Sequence, residues 1–415
     1  MSRRRASHSE SIAQSSTANE AIAYPYSGMQ QNHHQAPRRG PIEGPNGRRL
    51  IRRVTWRSST YKLMAFLWVF GVFYIVWLIR DIFYLPFSPS TTLTDAPNLL
   101  DHYVGHKKCG ISSSSLYTGP QGSDHGSSDT PYCENRGSLL NAMSNGGRHG
   151  FDAAYTSQAY VQEGCAYRWY TPSQICDVLQ QFHRVVFVGD ESLTDIYAGF
   201  NILLRQDLET GSLRDWDASQ QQVEKCQCDA QFTSASCLPL RITSSDQLYQ
   251  ETTGKTTRSS YSCPARISHD LLTVTSSPAS KGMHEKFRQF VTEAGGQSKA
   301  IAVIHSLSLS TSYSLSTAEN SMDEWLALTR TAGRNTPFLW VGPTAPGLQK
   351  PSGDNLHASS WQYTLDASEA ARSRGLDSLG MYNATLQVDS WDGRHYGEKV
   401  ALMQAMMIIN WLSTL

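Results

Sequence analysis

The chain has no cysteine before residue 109, no net charge, and none of the common nucleotide or metal signatures. Its 36 Lys and Arg balance 36 Asp and Glu, so no overall basicity argues for a nucleic-acid partner. P-loop, GxGxxG, HExxH and EF-hand patterns are all missing, which removes the usual sequence grounds for NTP, dinucleotide, zinc-protease or calcium chemistry. No internal repeat is visible, and hydrophobic residues make up only 40% of the chain. A length of 415 residues would allow two or three domains. One membrane anchor followed by one globular body is the better division.

What is present is unevenly spread. The first 62 residues carry eleven Arg and Lys against only Glu10, Glu20 and Glu43. Residues 1–61 are otherwise rich in Ser, Gln, Asn, His and Gly, a composition that buries too little apolar surface to fold alone, so they read as a disordered basic tail. Leu63 to Ile79 then forms an uncharged run of 17 residues, at the short end of what spans a hydrocarbon core about 30 Å thick. Arg80 can snorkel towards the headgroups, and Tyr61, Trp68, Trp77 and Tyr84 supply interfacial aromatics. With 62 residues ahead of it, the run is not placed as a cleaved signal peptide, and residues 62–86 are expected to be a signal anchor. Arg48, Arg49, Arg52, Arg53, Arg57 and Lys62 crowd its N-terminal flank, whereas beyond Arg80 no Lys or Arg occurs until Lys107. The positive-inside rule then puts the N-terminus in the cytosol and the C-terminal body in the lumen.

In an oxidising lumen, Cys109, Cys133, Cys165, Cys176, Cys226, Cys228, Cys237 and Cys263 are expected to pair as disulfides, with the connectivity left open. A zinc site from Cys226, Cys228, Cys237 and Cys263 is the competing reading. Their spacing lacks a paired CxxC, and no metal is expected. Residues 87–150 show no sustained period and read as a stem merging into a cysteine-fixed loop layer.

Regular structure is expected within the globular body, residues 151–415. Pro172 and Ser173 open a helical pattern with Ile175, Val178, Leu179 and Phe182 on one side. Arg184 to Val188 is a short apolar run suited to a strand buried on both faces, followed by a tight turn and a helix over 193–208. Further strands are expected at Ala300–His305 and Phe338–Gly342, and helices at 283–293, 322–331 and 397–412. Strands alternating with helices in this order predict a doubly wound α/β fold, with a parallel sheet and helices on both faces.

Ligands bind at the carboxyl ends of such strands, where helix N-termini present free backbone donors. Gly189, Asp190, Glu191 and Ser192 (GDES) occupy one such place. Gly189 suits the tight turn and Asp190 can cap the next helix, while Ser192 is a candidate nucleophile and Thr194 a weaker substitute. Near the C-terminus, DGRHYG sets Asp392 three residues before His395. An orienting carboxylate on one imidazole nitrogen leaves the other to take a proton from a hydroxyl. His305, at a strand end, is more simply structural. Trp340 and Trp391 are candidates for stacking on sugar rings, with core packing as the default. Asn383-Ala384-Thr385 is a formal glycosylation acceptor.

FVGDESLTDIY, WVGPTAP, DGRHYG with its final helix, and the preceding anchor together resemble the SGNH/GDSL hydrolase-like group. Within it they resemble the PC-esterase set of plant trichome-birefringence-like proteins and the luminal domains of fungal capsule O-acetylation proteins. The resemblance covers roughly residues 150–415. It implies a Golgi type II membrane protein acting as O-acyl (acetyl) transferase or esterase on a glycan, with His395 as general base and Asp392 as its orienter. No cofactor is implied beyond an acyl donor. Because cytosolic acetyl-CoA lies across the membrane, transfer implies a multispan partner or a glycan-borne donor. The chain departs from the family pattern at two points. Glu191 stands where the family has its nucleophilic Ser, with Ser192 one place later. HSLSLSTS (305–312) lacks the Gly and Asn of the usual oxyanion hole, so Gly199, Gly211 or the backbone amides of 191–193 are the candidates left. The alternative from another class is a catalytically degenerate glycan-binding or scaffold protein of the same fold.

Overall fold

The computed structural model describes residues 59–87, 99–111, 116, 132–145, 165–251, 261–292, 299–331, 333–347, 356–386, 388, 390, 392 and 395–415. Residues 1–58 of the expected tail, and Trp391, lie outside this set. The chain separates into two units, Met1–Thr92 and Leu93–Leu415.

The first unit contains helix α1 (Ser59–Phe87), which runs over the whole expected anchor. Its side chains are described from residue 61 to 75, and all of them are exposed. Among the described residues no helix is long and apolar enough to cross a membrane. The last four residues of the uncharged run, 76–79, fall beyond the described side chains.

In the second unit the helices are α2 (His106–Cys109), α3 (Arg136–Ser144), α4 (Pro172–Leu179), α5 (Glu191–Arg205), α6 (Gln220–Lys225), α7 (Ala230–Thr233), α8 (Ser245–Glu251), α9 (Lys281–Thr292), α10 (Leu315–Arg330), α11 (Leu356–Ser373), α12 (Tyr382–Thr385) and α13 (Gly397–Leu412). The strands are β1 (Phe182–Gly189), β2 (His269–Thr273), β3 (Ala300–Ser306), β4 (Phe338–Thr344) and β5 (Asp377–Met381). They form one parallel sheet in the order β2-β1-β3-β4-β5. The order reverses between β1 and β3, the kind of switch point at whose carboxyl ends open α/β sheets bind ligands.

Burial explains why the strands read as apolar runs. Val185 and Phe187 join one core cluster while Val186 and Val188 join another, as expected when successive residues point to opposite faces of a sheet covered on both sides. The first cluster takes in α5 and α13. Within α13 all residues from Gly397 to Leu412 are buried except Lys399. A helix apolar almost all round belongs in a core, and each fully buried Leu, Ile or Met there contributes about 1.5–3 kcal/mol.

Local signals set the boundaries. Thr171 and Gln174 form a capping box with Pro172 at the first helical position of α4. That helix ends at Leu179, and Phe182, expected on its apolar side, instead opens β1. Asp190 caps α5, which stops where Gln206 turns left-handed at φ 52°. The expected loop layer over 87–150 contains α2 and α3. Helix α3 is fastened to the sheet edge, since the Gly380 amide donates to Ser144 Oγ at 2.9 Å and Arg136 pairs with Asp377 at 3.3 Å.

The eight cysteines pair as Cys109–Cys228, Cys133–Cys165, Cys176–Cys263 and Cys226–Cys237. Each of the four cysteines in the zinc alternative is in a disulfide. Four disulfides are consistent with an oxidising compartment.

Candidate functional site

The turn after β1 is organised by one buried carboxylate. Asp190 has no exposed surface. Its Oδ1 accepts the Ser192 amide at 3.3 Å and the Ser192 hydroxyl at 2.8 Å. Its Oδ2 accepts the Ser308 amide at 2.8 Å, the Ser310 amide at 3.1 Å and the Ser310 hydroxyl at 3.2 Å. One side chain thus fixes both the start of α5 and the loop after β3, and five donors offset the cost of burying its charge.

Gly189 is required by the neighbouring strand. It pairs with Ser306 in the β1–β3 register, and a Cβ at this position would overlap the Ser306 carbonyl oxygen. That approach brings Ser306 Oγ to 3.4 Å from Ser192 Oγ. Since the Ser192 proton goes to the Asp190 carboxylate, Ser306 is the donor between the two hydroxyls.

The second half of the site lies in the loop before α13. Asp392 Oδ2 sits 2.6 Å from His395 Nδ1, and Oδ1 accepts the His395 backbone amide at 2.8 Å. Ser390 Oγ donates to the His395 carbonyl at 2.6 Å. Side chain and backbone of His395 are both held, and the imidazole is fixed with Nδ1 towards the carboxylate. The next residue, Tyr396, donates its hydroxyl to the Ala345 carbonyl just past β4, tying this loop to the carboxyl edge of the sheet. Burial, chiefly, raises the Tyr396 phenol pKa, and nearby Tyr313, Asp392 and Tyr382 raise it further. Tyr313 packs on Tyr363 with ring centroids 5.7 Å apart, and the Tyr363 hydroxyl donates to the Leu307 carbonyl in the loop that Asp190 holds. The two halves are therefore linked through the loops following β1, β3 and β4. In a sheet, β1 and β4 stand about 10 Å apart, two strand spacings.

The predicted residues fall into distinct groups. Asp392 and His395 are brought together. Among the described residues the hydrogen-bond partners of Ser192 Oγ are Asp190 and Ser306, and a direct bond to His395 is not one of them. Glu191, in the family's nucleophile position, is exposed at the first position of α5. Thr194 Oγ1 lies 3.4 Å from the Asp190 carbonyl, inside the helix.

His305 and Trp340 are packed in the core. His305 is buried between the Val188 carbonyl, 2.7 Å from Nδ1, and Ser321 Oγ, 3.0 Å from Nε2. Burial pushes its pKa down to about 4, against the raising effects of the Val188 bond, Asp190 and Glu324. Trp340 is fully buried against His305 and presents no face to a sugar. Asn383 is half-buried, and the sequon hydroxyl of Thr385 is buried and donates to the Met381 carbonyl at 2.8 Å.

The expected oxyanion donors need correction. Gly199 lies inside α5, where a Cβ would overlap the Ala401 carbonyl, and the Gly211 amide donates to Asp207 at 3.0 Å; both glycines serve packing. The amides of Ser192 and Leu193 are directed at Asp190. Glu191, at the first helical position, has no intrahelical acceptor for its amide. Sequence reasoning passed over Ser306, Ser308 and Tyr396. Ser306 could have been found as the hydroxyl closing the apolar run AIAVIH at a strand's carboxyl end.

One further group lies a turn beyond His395. Glu398 is buried, and neither carboxyl oxygen has a hydrogen-bond partner among the described residues. Burial, with Asp229 and Asp207 nearby, pushes its pKa up to about 9, so it is a neutral acid at ordinary pH. No protein-family model matches the chain, and no curated protein matches it in sequence.

Proposed function

We propose that the chain is a type II membrane protein of the secretory pathway, in the Golgi. Its luminal SGNH-like domain transfers or removes O-linked acyl groups, acetyl above all, on a glycan. The observation that carries the reading is the Asp392–His395 pair, 2.6 Å apart, in a loop tied to the same carboxyl edge of the sheet as the GDES turn. The anchor rests on the uncharged run 63–79 and its basic flank. The four disulfides support a luminal body.

In this reading Ser192 turns its hydroxyl from Asp190 towards His395, which takes the proton as the oxygen attacks the acyl carbon. Asp392 holds the imidazole and stabilises its positive charge. The acyl-enzyme then passes its acyl group to a glycan hydroxyl or to water. Free-enzyme hydrogen bonds of this kind often tighten only once substrate is bound.

The test is turnover of an acetyl-ester substrate by the full-length chain beside Ser192→Ala and His395→Ala. Each variant is expected to lose at least about 10³-fold in kcat; three proteins with the same rate would remove Ser–His chemistry. A catalytically degenerate glycan-binding protein is the second reading. It is favoured by Glu191 in the nucleophile position and by the commitment of the Ser192 proton to Asp190. Glycan binding that survives both substitutions, without turnover, would establish it.

A further inference from the structure

We infer that Ser306 is an additional catalytic residue, whose hydroxyl donates to the oxyanion of the tetrahedral intermediate in place of the missing Asn and Gly. The inference rests on the acyl-transfer reading.

Three observations point to it. Ser306 is fully buried, yet its hydroxyl meets Ser192 Oγ only at the long distance of 3.4 Å. Buried hydroxyls are normally well satisfied, so a donor held this loosely beside a candidate nucleophile suits an acceptor that arrives with substrate. Its direction is also set. With the Ser192 proton on Asp190, the Ser306 O–H points at the oxygen that will attack. Finally, the oxyanion forms on the same carbon that Ser192 bonds to. A donor about 2.7–3.1 Å from the oxyanion therefore lies slightly further from the nucleophilic oxygen, as Ser306 Oγ does.

The fold holds this placement from two sides. Gly189 admits the Ser306 backbone where any side chain would collide. Asp190 fixes the following loop through the amides of Ser308 and Ser310. Ser308 Oγ is itself buried with no partner among the described residues, and the Glu191 amide stands at the helix start. When the Ser192 Oγ–carbon bond forms, the carbonyl π electrons move onto oxygen and the Ser192 proton passes to His395. Ser306 donates to the new oxyanion without giving up its proton. Collapse restores the carbonyl, and the leaving alkoxide takes the proton from His395.

The experiment measures hydrolysis of 4-nitrophenyl acetate, and labelling by a fluorophosphonate whose P–O group occupies the oxyanion position. It uses the full-length chain, Ser306→Ala, Ser306→Thr and Ser192→Ala, with thermal midpoints recorded for each. Ser306→Ala is expected to lose about 10²–10³-fold in kcat, with KM within about threefold and a correspondingly slower label on Ser192. Ser306→Thr, which keeps the hydroxyl, is expected to recover part of the loss. A Ser306→Ala protein with unchanged kcat and labelling, beside an inactive Ser192→Ala, would overturn this assignment alone. A loss seen only in KM, or only in proportion to a collapsed thermal midpoint and not rescued by Thr, would overturn it too. A wild-type chain that neither turns over nor is labelled would remove the acyl-transfer reading and this inference with it.

Discussion

Gly199 on α5 lies directly against the backbone of Ala401 on α13, so closely that a Cβ would overlap the Ala401 carbonyl. These two helices carry Ser192 at the start of one and follow His395 at the start of the other. Their close crossing sets the spacing of the two halves of the site. Gly199→Ala is expected to force them apart and to cost about 1–3 kcal/mol by overpacking. Activity on an acetyl ester should fall by more than the unfolded fraction explains, because an ångström of misplacement costs about 10²-fold. Denaturant unfolding beside steady-state kinetics checks this, and a variant with wild-type rate and stability would contradict it.

Asp392 does two jobs that one substitution can separate. Its Oδ1 holds the His395 amide and its Oδ2 holds Nδ1. Asn at this position keeps an oxygen for the amide but offers Nδ1 the wrong partner. Asp392→Asn is expected to leave stability nearly unchanged and to reduce kcat/KM by about 10²–10⁴-fold, through the wrong tautomer. Asp392→Ala should add a loss of stability from the freed loop. Equal activity in Asp392→Asn and the wild type would show that His395 is not a base oriented by this carboxylate.

How far these features were legible in the sequence follows from what each side chain does locally. β1, β3 and β4 each contain a continuous apolar run because the sheet is covered on both faces, so these runs stood out. β2 begins with His269 and Asp270, which are buried only because Arg184 pairs with Asp270 and the Tyr197 hydroxyl meets His269 Nδ1 at 2.8 Å. Those partners are distant in sequence, so the strand carried no apolar signature. β5 contains Ser378 and Gly380 and sits at an edge, where propensity is weakest. Helix α11 packs through Ala367, Ala371 and Tyr363, too few large residues to show a period. At the site, the three-residue spacing of Asp392 and His395 made their pairing readable. The approach of Ser306 to Ser192 depends on a β1–β3 register that no local pattern encodes.

Cys176–Cys263 joins α4 to the segment leading into β2 across 87 residues of chain. Closing a loop of this length restricts the unfolded ensemble strongly, so replacing both cysteines with Ala is expected to cost about 2–5 kcal/mol. Cys226–Cys237 closes only 11 residues, and its removal should cost less. Urea midpoints of the two double variants test the order. A reversed order would mean that native-state contacts around Cys226, and not chain entropy, dominate.

Stability should peak near pH 6.5, because buried groups of opposite kind bound it on either side. Burial, then the Arg184 charge, pushes the His269 pKa down to about 3, and burial pushes His305 down to about 4, both from an ordinary 6.5. Below pH 6.5 the unfolded chain therefore binds protons that the folded chain refuses, and stability is lost as pH falls towards 4. Glu398 acts in the other direction. Its folded pKa of about 9 exceeds its ordinary 4.5, so its contribution is fully present below pH 4.5 and declines as pH rises towards 9. Each group contributes a slope of at most about 1.4 kcal/mol per pH unit within its window. Between 4.5 and 6.5 the two histidines outweigh the one glutamate, and above 6.5 the glutamate acts alone. Thermal midpoints from pH 4 to 9 should rise and then fall. Glu398→Gln should flatten the alkaline limb, and His305→Gln should make the acid limb shallower. An alkaline limb that Glu398→Gln leaves as steep as before would show that this carboxyl is already ionised in the folded protein.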